Sequence, residues 1–259
     1  MRLVMTLRGG IAAALSACLC MLLIFSSAAV TGEGDGGKRL LEQSVEAMGG
    51  AKTARSWTTM SATGILNQFR PGWGTLKANC SRHIKKPDKA REERDFSAYD
   101  HPFFYNYYLN GEDAWMFVNM STREHPTVTK LMKDLIRTID ETAYYAEECD
   151  TFFIVEDVPD DSLFSGSSID RVGVVDQGDT LLFDLSRETH LPVRRIEKNG
   201  SAHVILSDYR ETGGLIVPFH IEVFEPQAGM STEYIWKDIF FDVEIDDAIF
   251  EENRPAKKE

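Results

Sequence analysis

Basic residues are in short supply. The chain has 259 residues with 28 Lys and Arg against 41 Asp and Glu, a formal charge of −13. Without a basic stripe, such a surface repels phosphate backbones, which excludes a nucleic-acid partner. Cysteine is scarcer still: four residues, two of them, Cys18 and Cys20, within the first twenty positions. No Cys-x-x-Cys pair occurs, so a thioredoxin-like or zinc-ribbon chemistry has no support. The six His are scattered at 83, 101, 125, 190, 203 and 220, with no His-Glu-x-x-His and no two spaced by four. Gly-x-Ser-x-Gly and Ser-x-x-Lys are both absent. These gaps leave no motif for a nucleophile or a metal, and the expectation is a protein that is not an enzyme and carries no metal or cofactor. Nine Pro and no Pro- or Ser-rich stretch give no linker within 38–254, which reads as one domain.

Two features mimic sites. Gly32-x-Gly34-x-x-Gly37-Lys38 has phosphate-loop spacing, but no strand precedes it and Arg39 stands where Ser or Thr is needed. Asp157-Val158-Pro159-Asp160-Asp161 lacks the alternating ligands and glycine of a calcium loop, and reads as solvated.

Only one long apolar run is present. Arg2 and Arg8 precede Ile11–Phe25, and Ser26, Ser27, Ala28 and Ala29 follow it. That order is the order of a secretory signal, with cleavage after Ala29. Residues 30–37 read as a tether and 255–259 as a charged tail. Two alternatives stand beside cleavage: residues 11–30 retained as an inner-membrane anchor, or lipidation at Cys18. Export leaves Cys80 and Cys149, a disulfide candidate or two separate buried thiols.

From residue 38 the patterning splits. Leu41, Val45 and Met48 form a helical stripe stopped by Gly49-Gly50. Residues 127–148 predict one long helix, with Val128, Leu131, Leu135, Ile139 and Ala143 on one face. Everything else reads as strand. Asn110-Gly111 between two aromatic runs is a hairpin signal, and turns recur every dozen or so residues from 152 onward. Asp246-Asp247 should cap a short helical piece near 248–250. The class is α+β: a single curved antiparallel sheet, an incomplete barrel of roughly eleven strands, with helices packed on one face as a lid.

Aromatic residues crowd 103–117 and 219–241. Strand alternation sends them to both faces, so one face packs under the helices and the other is covered, exposed or wrapped around something apolar.

Several stretches resemble a known family. Leu41–Gly50 followed by Trp57–Gly64, Phe183–Arg195, Ser207–Ile221 with Gly214, Leu215 and Pro218 in step, and Val243–Phe250 resemble the bacterial outer-membrane lipoprotein-sorting proteins, the LolA/LolB-like superfamily. The segment 96–161 matches only loosely. The resemblance implies an exported, periplasmic, monomeric carrier whose partners are acyl chains of lipids or lipoproteins and envelope membrane proteins. From aromatic placement, the expected cavity lining is Trp57, Trp115, Phe117, Leu131, Leu135, Phe219, Ile221, Trp236 and Phe240. The alternative is an envelope scaffold with a filled core and no lipid cargo.

Overall fold

The computed structural model describes residues 35–99, 103–124, 126–137, 139–156, 168–197 and 200–255. The segment 1–29 read above as a signal, Cys18 and the acidic stretch 157–161 lie outside the described residues. Two helices open the chain, α1 (Asp35–Ala47) and α2 (Ala51–Ser56). Helix α1 begins at Asp35, ahead of the Lys38 start read from the sequence. It buries Leu41, Ser44 and Val45 and ends where predicted, with Gly49 and Gly50 at φ 112° and 84°. A Cβ on Gly49 would lie 2.4 Å from the Gly214 carbonyl oxygen, so only glycine lets the helix end close against that turn.

A first meander follows: β1 (Thr59–Arg70), β2 (Gly74–Lys85), β3 (Lys89–Asp95), β4 (Phe104–Asn110), β5 (Asp113–Val118) and β6 (Ser121–Arg123). After helices α3 (Pro126–Arg137) and α4 (Glu141–Glu148), a second meander runs through β7 (Thr151–Val155), β8 (Ile169–Asp176), β9 (Asp179–Ser186), β10 (Pro192–Ile196), β11 (His203–Thr212), β12 (Leu215–Glu225) and β13 (Met230–Phe241). All pairings are antiparallel, and the order is β6-β5-β4-β3-β2-β1-β13-β12-β11-β10-β9-β8-β7. The β1–β13 pair fuses the two meanders into one open sheet of thirteen strands, and α3 and α4 are the chain between its two edges, β6 and β7. The α+β reading and the incomplete barrel hold. The count exceeds the expected eleven partly because β6 is three polar residues long, too short to leave a pattern.

The predicted helix 127–148 is two helices. Ile139 and Asp140 form a turn, and the Tyr144 amide bonds the Asp140 carbonyl at 2.8 Å, opening α4. Val128, Met132, Leu135, Ile136, Ile139 and Ala143 are nonetheless all buried, so the apolar stripe survives the break. Alternation is visible in β2, where Ala78, Cys80, Arg82 and Ile84 are buried and the residues between them are not.

The chain closes with a 3₁₀ turn, Asp247–Phe250. The Asp246 carboxylate accepts the Ala248 amide at 2.9 Å and Phe250 is fully buried. Replacing Asp246 by Ala removes this cap, and urea unfolding should report a loss of about 1 kcal/mol. An unchanged midpoint would mean that Phe250 alone holds the turn.

Candidate functional site

A cavity of about 520 Å³ lies between the helices and the sheet. Met48, Leu135, Ile139 and Thr142 line it from the helical side. Phe183, Val204, Leu206, Ile221, Val223 and Tyr234 line it from the sheet. Register explains the grouping: Leu206 lies opposite Ile221, and Ile221 opposite Tyr234, so the three share one face. The volume is in the range of small-molecule sites, and the predominantly apolar walls suit an apolar ligand.

Its floor is charged. Arg82, Glu92 and Arg94 sit on adjacent strands at positions that face the helices. Glu92 is 1% exposed. It accepts Arg82 Nη2 at 2.6 Å and Arg94 Nε at 2.8 Å. Arg94 Nη2 also donates to the Tyr234 hydroxyl at 2.7 Å, and that hydroxyl lies 3.2 Å from Glu92 Oε1. Aromatic faces hold the cations in place: Arg82 stacks over Tyr234 and Trp236 at 5.1 and 4.9 Å, and Arg94 over Tyr107 at 5.0 Å. Burial alone would raise the Glu92 carboxyl, but Arg94 and Arg82 overrule it and hold it at about 2. Burial pushes the neighbouring Cys80 thiol up to about 12, so it stays protonated and inert.

Acids gather at the rim. Asp134, Glu141, Glu197 and Glu225 line the cavity there with Lys130 and Arg195. Burial raises the Asp134 carboxyl, and nearby Glu197 adds to the shift. Ion pairs tie the α3–α4 region to its surroundings, among them Lys86 to Asp140 at 2.7 Å, Arg55 to Glu147 at 2.7 Å, Lys133 to Glu112 at 2.7 Å, and Arg195 to Glu141.

Of the nine expected lining residues, Leu131, Leu135 and Ile221 face the cavity, Leu131 at its rim and 41% exposed. Trp57 is buried against Phe241 with Lys86 over its ring. Trp115 stacks on Tyr108, and its indole N–H donates to the Glu252 carbonyl, which places it under the C-terminal segment and not in the cavity. Phe117 pairs across from Asn106 and shares the Trp115 face by alternation. Phe219 is buried beneath the Arg210 guanidinium. Trp236 backs the floor through its contact with Arg82. Phe240 is 54% exposed, because the register shifts opposite Thr63/Gly64 and skips Lys237, so that Ile239 and Phe241 turn inward instead. Cys80 and Cys149 are both free, buried thiols, so the disulfide alternative gives way to separate thiols.

The sequence reading missed Arg82, Glu92, Arg94 and Tyr234. The signal was present: charged side chains at positions 82, 92 and 94 fall in step with Ile84 and Ala90, at core parity in strands.

One hydrogen-bonded row elsewhere has the residue types of a hydrolase. Ser207 Oγ lies 3.0 Å from His220 Nδ1, and His220 Nε2 lies 2.8 Å from Glu233, which also accepts from Asn67 at 2.7 Å. These residues sit across paired antiparallel strands, whose amides are used by the ladder and unavailable to an oxyanion. The row works as a cross-strand polar clasp, and Asn67 and His220 together hold the Glu233 carboxyl below its usual range.

No family model matches the chain, and no curated protein matches it. Solved structures do. A DUF1329 family protein from Desulfovibrio piger aligns over 86% of this chain and 98% of its own, with TM-score 0.57 and 14% identity. A domain named for outer membrane lipoprotein sorting, from Vibrio parahaemolyticus, aligns over 84% and 98%, with TM-score 0.55 and 13% identity. A LolA superfamily protein from Nitrosomonas europaea aligns over 83% and 96%, with TM-score 0.54 and 11% identity. The chain therefore shares the fold of LolA-like proteins, as the sequence resemblance implied.

Proposed function

We propose that the protein is an exported carrier that shelters an acyl chain between its helices and its sheet, working in the bacterial periplasm. One observation carries this reading: the 520 Å³ cavity walled by Leu135, Ile139, Phe183, Val204, Leu206 and Ile221. An envelope scaffold with a filled core needs no such space. The names of the structural neighbours, one for lipoprotein sorting and one for the LolA superfamily, support the choice of cargo class. Export rests on the segment 1–29. Among the described residues no helix is long and apolar enough to cross a membrane.

A methylene moved out of water gains about 0.8 kcal/mol. One bound chain therefore reaches useful affinity with no covalent step. The helices would act as the lid, held by the Lys86–Asp140, Arg55–Glu147 and Arg195–Glu141 pairs.

The test is uptake of a fluorescent fatty acid by Ile221→Trp against the unaltered protein. The larger ring takes cavity space, and losing room for two methylenes lowers affinity about tenfold or more. Thermal unfolding of the variant should stay cooperative, since overpacking costs about 1–3 kcal/mol. Equal uptake by the two proteins removes the cavity from the mechanism. No uptake by either moves the assignment to the scaffold.

A further inference from the structure

The cavity has a charge distribution that an acyl chain alone does not explain. Its floor holds two guanidiniums, Arg82 and Arg94, against one carboxylate, Glu92, for a local charge of +1. Both arginines are nearly buried, with side chains 8% and 12% exposed. Every hydrogen bond they make goes through Nε or Nη2, so each Nη1 is left without a partner among the described residues. A buried ion triad of this kind is a poor route to stability, because well-packed apolar residues of similar volume often do as well or better. Burying an excess cation makes that worse unless an anion joins it. The rim is opposite in sign: Asp134, Glu141, Glu197 and Glu225 outnumber Lys130, Arg195 and Arg137, the last paired to Asp134.

From this we infer that the cargo is a single-chain lipid with one anionic head, bound head-inward: the head accepts from the Nη1 groups of Arg82 and Arg94 at the floor, and the chain runs out past Phe183, Ile221 and Leu135 to the rim. The inference rests on the carrier reading and names its ligand class. Three points agree with that orientation. An anionic head left at the rim would face acids; at the floor it cancels the excess charge. The guanidiniums are held by stacking on Tyr107, Tyr234 and Trp236, so they meet the head without reorganising. The space also suits one chain: about 520 Å³ lies within the range of single small-molecule sites.

The experiment compares palmitate, methyl palmitate and inorganic phosphate on the delipidated protein by calorimetry, at mildly alkaline pH where a carboxyl is ionised. Palmitate should bind tighter than its methyl ester by roughly tenfold to a hundredfold, the range of one charge-assisted hydrogen bond. In Arg94→Gln the floor becomes neutral while Glu92 keeps Arg82. That variant should lose the preference for palmitate and keep its affinity for the ester. Arg94→Lys should restore part of the preference, which a general folding defect would not allow. Equal binding of acid and ester by the unaltered protein overturns the head-inward assignment and leaves the carrier reading intact. Phosphate binding as tight as palmitate also overturns it, in favour of a small-anion site. If neither palmitate nor the ester binds, the carrier reading fails with it.

Discussion

Glu92→Gln is expected to destabilise the protein by about 3–5 kcal/mol, because it leaves Arg82 and Arg94 as two buried cations with no counter-charge. The amide can still accept one hydrogen bond, but it carries no charge to offset theirs. Urea unfolding checks the prediction: the midpoint should fall with the slope unchanged. A loss below about 1 kcal/mol would mean that water reaches the guanidiniums through the cavity and solvates them. Acid gives an independent reading. The Glu92 carboxyl is held at about 2, below its ordinary 4.5. A depressed carboxyl contributes stability that is complete above the unfolded value and disappears as pH falls through the folded one. The gap between the unaltered protein and Glu92→Gln should therefore be full at neutral pH and narrow from about 4.5 down to about 2. A constant gap across that window would assign the loss to packing.

Gly64→Val should be comparably damaging. Gly64 faces β13 where the register shifts past Lys237. A Cβ there would lie 2.3 Å from the Ile235 carbonyl oxygen and 2.8 Å from the Trp236 Cα. Both are backbone atoms of the neighbouring strand, so no rotamer change relieves the clash. The loss should be about 3 kcal/mol or more in urea unfolding. Gly64→Ala should already show most of it, since the Cβ itself makes the contact. Near-normal stability in Gly64→Ala would show that the β1–β13 seam can open locally. The seam also sets the cavity: it keeps Trp236 and Tyr234 inward behind Arg82, and a slip of one residue would turn them out.

The sequence was most legible where local chemistry decides structure. The Gly49-Gly50 stop, the capping role of Asp246 and the turn-punctuated strands of the second meander all reappear in the structure. The hairpin signal at Asn110-Gly111 was right in kind and one residue out in place. Asn110 pairs with Asp113, so Gly111 and Glu112 form the turn. Facing was the weak point. Trp115 and Tyr108 were visible as aromatic residues, but alternation alone does not say which parity turns towards the helices. A skip at Lys237 then exchanges Phe240 for Phe241 within a single strand. The cavity floor was hidden for a different reason. A search for apolar lining passes over Arg82, Glu92 and Arg94, although their parity with Ile84 and Ala90 placed them inside.

The order of the strands also governs when the sheet can assemble. Every neighbouring pair is sequential in the chain except one, the central pair of β1 with β13. Met60 must meet Phe241, so the first strand made waits for the last. Until then the inner edge of β1 has open amides and carbonyls and offers a template to any stray strand. Contacts this distant in sequence form slowly. A ribosome-bound chain that still lacks β13 therefore cannot complete this sheet. Each meander can pair within itself before that, but the two halves join only once the C-terminal strand has been made.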